Sequence, residues 1–237
     1  MAADGRDTQQ QPRQRTYDVT GDPLRTVRNL TQNAFLEGFL TRYRTRKIVP
    51  YIRPGNVLDF GCGSHFYTLK ALQGVFKNAI GLDQLFLGRP PVKHAEGFYS
   101  VGSLDDVAGF DFKIDQVVAL ACFEHFYESE LRKVLLHIHA STGPDAQVIG
   151  TVPTPRAKPV LEFISYKLRL IDATQIADHK RYYDLRTLGN LAGSAGWRVD
   201  VYKTFQYGMN SLFVFSKHDF SISEIVQRHQ STVDASV

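Results

Sequence analysis

Three groups of residues in this 237-residue chain have types and spacing suited to chemistry. The first is "NVLDFGCGSHF" over 56–66, where an apolar pair, Val57 and Leu58, runs into Asp59 and then into Gly61 and Gly63. A buried strand that breaks into a glycine turn lets backbone N–H groups come close to a ligand. The second is Asp83 in "GLDQ", about 20 residues past the glycines, where an acid ending the next strand is placed to accept hydrogen bonds from ribose hydroxyls. The third comprises Glu124 and His125 in "CFEHF" and the run "DHKRYY" over 178–183. Turn and acid together indicate a nucleoside-bearing ligand. A dinucleotide fingerprint requires G-x-G-x-x-G, but Phe66 stands where the third glycine belongs, and no G-x-x-x-x-G-K-[ST] loop occurs, so pyrophosphate binding is disfavoured.

These residues need a scaffold, and the apolar periodicity supplies one. Phe35, Phe39, Leu40, Tyr43 and Ile48 recur at helical spacing between 34 and 52, and "RPG" at 53–55 ends that element. Strands are expected at 56–60, 78–83, 98–103, 116–123 and 146–152, with helices over 65–76 and 128–140. Strands alternating with helices imply a parallel sheet covered on both faces. The chain closes differently. "DLRTLGNLAGSAG" reads as a helix with Gly196 at its end, and "WRVDVYKTF" and "NSLFVFSK" are joined only by "QYGM", which makes them antiparallel neighbours. Residues 1–28 are polar, Gln-rich and aperiodic and read as a disordered leader, 29–218 as one domain, and 219–237 as a tail. Within the domain, 156–183 reads as an insertion beyond the fifth strand, helical in its first half with Pro159 in the first turn.

"VLDFGCGS" with "GLDQ" resembles the class I S-adenosylmethionine-dependent methyltransferases, whose first motif is two hydrophobic residues, Asp or Glu, and then x-Gly-x-Gly-x-Gly. "SLDDVAGFDFKIDQVVALACFEHF" is similar to the segment in the small-molecule (type-11-like) branch where a loop after strand three holds adenine and Glu-His closes strand four. "ADHKRYYDLRTLGNLAGSAGWRV" is similar to a His-x-Arg-aromatic stretch before the final helix of many members, some of them from polysaccharide pathways. The resemblance spans roughly 34–217. It implies an α/β, Rossmann-like fold with a seven-stranded, mostly parallel sheet, helices on both faces and a C-terminal antiparallel hairpin. It implies S-adenosyl-L-methionine as cofactor, with Asp59, Gly61, Cys62, Gly63, Asp83, Gln84, Ser103, Leu104, Ala119 and Glu124 at its site. Two departures stand out: His65 replaces the third glycine of the motif, and Pro90 and Pro91 leave little room for the usual helix between Asp83 and Phe98.

Methyl transfer from a sulfonium is an in-line displacement, so the protein must hold an acceptor lone pair close to the methyl carbon. A hydroxyl acceptor also has to lose a proton. His125 is the first candidate base and His179 the second, since the ordinary histidine pKa of about 6.5 suits proton acceptance near neutrality. Packing against the cofactor pocket is the competing role for His125. Arg181, Tyr182 and Tyr183 are the candidate acceptor-binding residues, Arg181 offering a fork for carboxylate or phosphate. An ordinary salt-bridged loop would carry the same residues.

Composition narrows the class. Cys62 and Cys122 are the only cysteines, too few for a disulfide framework and without metal-ligand spacing; His137 and His139, two apart on a helix, project to different faces. No metal is expected. The net charge of +4 arises within the first fifty residues, where nine Arg and Lys face five Asp and Glu. With no signal peptide and no apolar run near the ~18 residues of a membrane span, a cytoplasmic protein is expected. The expected activity is O-methylation of a small molecule or glycan. Alternatives are a nucleic-acid methyltransferase, disfavoured for want of aromatic-basic interleaving on a strand, and a catalytically inactive cofactor-binding module. The insertion's Val160, Leu161, Ile164 and Leu168 beside Lys158, Lys167 and Arg169 also admit peripheral membrane contact. Nothing in the sequence bears on oligomeric state.

Overall fold

A computed structural model describes residues 38–159 and 180–218. The expected leader, most of the insertion including His179, and the tail lie outside those residues. The first element is a helix over 38–48 (α1), extended by a 3-10 turn at Val49–Tyr51 and stopped by Pro54 and Gly55. It leads into β1 (Gly55–Phe60), α2 (Tyr67–Ala71), β2 (Phe76–Leu82), β3 (Val92–Lys93), β4 (Phe98–Val101), α3 (Leu104–Ala108) and β5 (Gln116–Leu120). Then come α4 (Glu128–Ser141), β6 (Gln147–Pro153), α5 (Leu185–Ser194), β7 (Trp197–Phe205) and β8 (Asn210–Lys217).

The strands form one sheet in the order β3-β4-β2-β1-β5-β6-β8-β7, with β4 through β6 parallel and both flanks antiparallel. This is the expected sheet plus one two-residue edge strand, β3. The central strands are buried on both faces, which is why they read as unbroken apolar runs. Leu58, Ile80, Val117 and Val148 pack under α4 and α5 with Leu131, Leu135, Leu188 and Trp197, whereas Val57, Ala79, Val118 and Ile149 meet Ile48, Leu69 and Leu72 on the opposite face.

Local chemistry sets the ends. Helix α2 is shorter than its periodicity suggests because Gly74, at φ 85°, turns the chain into β2 two residues early. Helix α5 starts on a reciprocal cap between Asp184 and Thr187, and Gly196 follows its end at φ 80°. In place of a helix between β2 and β4, Phe66, Phe86, His94 and Phe98 stack on one another at 4.7 to 5.6 Å, and His94 Nε2 lies 2.9 Å from Ser100 Oγ. The two prolines thus leave an aromatic plug where a helix would stand.

Candidate active site

β1 pairs with β2 on one side and β5 on the other, so the strand order reverses there, and ligands of open α/β sheets bind beyond the carboxyl ends at such a point. The glycine turn sits at this place. Gly61 and Cys62 both donate to the carbonyl of Leu82, at 2.8 and 3.2 Å, tying the turn to the end of β2. Asp83 then holds it from the side: Oδ2 accepts from Gly63 N–H at 2.9 Å, and Oδ1 accepts from Leu85 N–H at 3.0 Å. A carboxylate has about four acceptor positions, so each oxygen keeps one for a hydroxyl donor.

The two glycines are required for different reasons. Gly61 has φ 80°, and a Cβ there would lie 2.5 Å from Cys122 Sγ, so the neighbouring strand end excludes a side chain. Gly63 has φ 64°, but a Cβ there would meet nothing within 4 Å. Its side of the turn is open. His65, in place of the third glycine, is exposed and stacks on the Tyr67 ring at 5.2 Å, with its Nδ1 3.1 Å from Ser64 Oγ.

Asp59 is 1 % exposed, and its Oδ2 has no hydrogen-bond partner among the described residues. Burial, reinforced by the charge of Asp83, pushes its carboxyl up to about 8. Burial also pushes the Cys62 and Cys122 thiols well up, with Asp59 and Asp83 adding to both shifts and Glu124 to that of Cys122. Neither thiol is a thiolate near neutrality, so neither is an activated nucleophile. Ser103 caps α3 reciprocally with Asp106, which places Leu104 in that helix's first turn beyond β4. Gln84 is exposed in the turn after Asp83, and Ala119 is buried inside β5.

After β5 the chain kinks at Ala121, whose φ of 51° is left-handed, into a 3-10 turn, Phe123–His125. Within it Glu124 is buried and His125 half-buried. The Glu124 carbonyl accepts from the N–H groups of Lys180 and Arg181, at 2.7 and 3.4 Å, and Tyr183 N–H donates to the Pro153 carbonyl at 3.1 Å. Residues 180–183 are thereby strapped across the ends of β5 and β6. Tyr183 is fully buried and Tyr182 half-buried. Arg181 forms an ion pair with Glu128 at the start of α4 and lies over the Tyr183 ring, 5.9 Å from its centroid. The guanidinium expected to bind an anionic acceptor therefore already has a carboxylate partner. Arg44, half-buried on α1, lowers the pKa of Glu124 across the sheet edge. Nothing in its sequence context singled it out, since it falls within a basic run on a helix.

An open, mostly parallel sheet with a glycine turn at the switch point, an acid on the next strand and a β6-β8-β7 antiparallel end defines a Rossmann-like methyltransferase fold. A family model described as a methyltransferase domain matches residues 33–201, and the chain belongs to that family. No curated protein sequence matches it. Among solved structures, it is similar to N,N-8-amino-8-demethyl-D-riboflavin dimethyltransferase (RosA) from Streptomyces davawensis, at 15% identity and TM-score 0.57 over 83% of this chain and 60% of that one. It is also similar to the 1,6-didemethyltoxoflavin-N1-methyltransferase of Burkholderia thailandensis, at 15% identity and TM-score 0.51 over 86% of this chain and 94% of that one. A third is CalO1, a methyltransferase in calicheamicin biosynthesis, at 16% identity and TM-score 0.50 over 68% of this chain and 48% of that one. The chain spans about half the length of CalO1 and of TnmH. At these identities the likeness is one of fold.

The cofactor of this class is S-adenosylmethionine, and the residues present fit it. The unpartnered Asp59 oxygen, the open side of Gly63 and the spare acceptor positions of Asp83 offer an ammonium partner, a close backbone approach and a ribose anchor. When bound, the cofactor supplies an electrophilic methyl group.

Two expected results follow from these positions. Asp59 keeps its proton in the folded state up to about pH 8, whereas an unfolded chain releases it near the ordinary 3.8. Its contribution to stability is therefore complete below 3.8 and is lost as pH rises towards 8. In Asp59→Asn the melting temperature of the cofactor-free protein should fall less steeply across that window, with a residual slope from Glu124, while cofactor affinity drops. Thermal unfolding at graded pH checks it, and a slope equal to that of wild type counts against a buried neutral Asp59. Separately, Cys62 and Cys122 flank the turn, so thiol labelling, already slow, should slow further under saturating cofactor. Identical labelling rates with and without cofactor would show that the ligand lies elsewhere.

Proposed function

We propose that this protein transfers the methyl group of S-adenosylmethionine to an oxygen of a small molecule or glycan. The observation that carries the reading is the glycine turn pinned by Asp83 to the end of β2, open at Gly63 and following directly on a strand end whose Asp59 carboxyl is buried and unpartnered. Asp59, Gly61, Gly63, Asp83 and Gln84 take the amino-acid and ribose portions. Ser103 and Leu104, beyond β4, take the adenine side, with Cys62 and Ala119 as further cofactor contacts. The acceptor enters beside the 180–183 strap, which carries Arg181, Tyr182 and Tyr183. Neighbours of similar fold whose names record small-molecule methylation support a small acceptor. His125 and Glu124 share the turn after β5, and a hydroxyl acceptor would meet one of them as its proton acceptor.

The test is a mass gain of one methyl group in a panel of phenols, alcohols, amines and sugars incubated with the protein and cofactor, after cofactor binding has been measured by calorimetry. Binding without product on any acceptor would favour a cofactor-binding module. Product confined to amines would overturn the oxygen assignment.

A further inference from the structure

Besides Asp59, the carboxyl edge carries three buried oxygen atoms with no hydrogen-bond partner among the described residues: Glu124 Oε2, Thr151 Oγ1 and Tyr183 Oη. Native proteins leave few buried polar atoms unpaired, so each requires a reason. Thr151 is on β6, facing the α1 side with Ile149, whereas Glu124 is in the turn after β5 and Tyr183 on the strap tied to that turn. Glu124 is 2% exposed and Tyr183 0%. Their backbones are stitched together through Lys180 and Arg181 on the Glu124 carbonyl, and the Glu124 charge acts on the Tyr183 hydroxyl. The same carboxyl acts on Cys122, whose sulfur is the atom a Gly61 side chain would strike. The Glu124 charge thus reaches both the thiol beside the glycine turn and the hydroxyl carried by the strap.

We infer that Glu124 and Tyr183 form the acceptor subsite, and that its substrate is an uncharged hydroxyl compound whose proton Glu124 Oε2 accepts while Tyr183 Oη holds the acceptor by a hydrogen bond. This rests on the methyl-transfer reading above and moves Glu124 from the cofactor to the acceptor. An acceptor lone pair forms the new O–C bond as the methyl carbon's bond to sulfur breaks. The sulfur keeps that electron pair and becomes a neutral thioether, and the hydroxyl proton passes to Glu124 and then to solvent.

Charge selects the acceptor class. Asp83 and Glu124 both act on the Cys122 thiol, and Arg181 is already paired with Glu128, so a carboxylate or phosphate on the acceptor would meet like charge. Burial pushes the Glu124 carboxyl up to about 7, opposed by its backbone hydrogen bond and by Arg44 from α1. Around it, Cys122 precedes it in the chain and feels Asp59 and Asp83, His125 follows it in the same turn, and Arg181 lies over the Tyr183 ring. Since the base form is required, turnover rises with pH through that region.

The test uses Glu124→Gln and Tyr183→Phe in the full chain, with matched phenols bearing or lacking a carboxylate. Glu124→Gln should lower kcat at least about 100-fold, abolish the acid limb of the pH profile, and leave S-adenosylhomocysteine affinity within about threefold. Tyr183→Phe should raise KM, and without ligand it should melt no lower than wild type, because its hydroxyl has no partner to lose. The neutral phenol should be preferred over its carboxylate counterpart. Wild-type kcat in Glu124→Gln, an unchanged acid limb, or a Tyr183→Phe protein that melts well below wild type would each overturn the subsite. If the wild-type protein binds cofactor but methylates nothing, the methyl-transfer reading fails; the melting temperature of Tyr183→Phe still decides whether its hydroxyl is a structural or a spare group.

Discussion

Asp83→Ala is expected to weaken S-adenosylmethionine binding by roughly 10- to 150-fold, because charge-assisted hydrogen bonds contribute about 1.5 to 3 kcal/mol and every 1.4 kcal/mol is tenfold. The carboxylate has two tasks. It holds Gly63 N–H at 2.9 Å, fixing the turn, and its remaining acceptor positions are available to a ribose. Asp83→Asn separates them: the amide oxygen still accepts one N–H and preserves the turn, but the charge is gone, so its loss of affinity should be smaller than that of alanine. Calorimetry on both variants, with circular dichroism to confirm the fold, decides it. Unchanged affinity in a folded Asp83→Ala would remove Asp83 from the site.

The site's cofactor half was legible because its chemistry is local. Val57, Leu58, Asp59, Gly61 and Gly63 fall within seven residues, and a left-handed backbone at both glycines leaves a mark in residue type. Asp83 was legible because the second strand of a βαβ unit ends at a predictable distance. The proposed acceptor subsite draws on the turn after β5 and the strap before α5, and such assembly leaves no mark in any one stretch. In sequence His125 is the candidate base, for its ordinary pKa, and Glu124 a cofactor contact. The ground for proposing Glu124 instead appears only in the fold: the left-handed Ala121 precedes a turn whose buried side chain is Glu124, and desolvation raises its carboxyl to about 7. Arg181 shows the reverse case, a side chain that reads as an anion fork in sequence and is held by Glu128 in the fold. The fold was legible in its alternation of strands and helices and in its closing hairpin. The edge strand β3 was not, since Val92 and Lys93 carry too few residues for a period to show.

The two glycines of the turn should fail in different ways. In Gly61→Ala the new Cβ would sit 2.5 Å from Cys122 Sγ and 3.1 Å from Cys122 Cβ, in a backbone conformation that costs an L-residue roughly 1 to 2 kcal/mol. Cys122 is half-buried at the end of β5, so its side chain or the ends of β1 and β5 must shift, and both stability and cofactor affinity should drop. In Gly63→Ala the same backbone cost applies, yet nothing lies within 4 Å of the new Cβ, so the melting temperature should fall less while affinity still falls, because the methyl group occupies the open side the cofactor needs. A second substitution tells a clash from simple backbone strain. Adding Cys122→Ala to Gly61→Ala removes the sulfur at 2.5 Å and should restore part of the lost stability, whereas adding it to Gly63→Ala should restore none. Thermal unfolding and calorimetry on the four variants measure both quantities. Equal losses of affinity and stability at the two positions, with no recovery in the Gly61→Ala double variant, would mean that the turn tolerates a side chain toward Cys122 and that its open side is not where the cofactor lies.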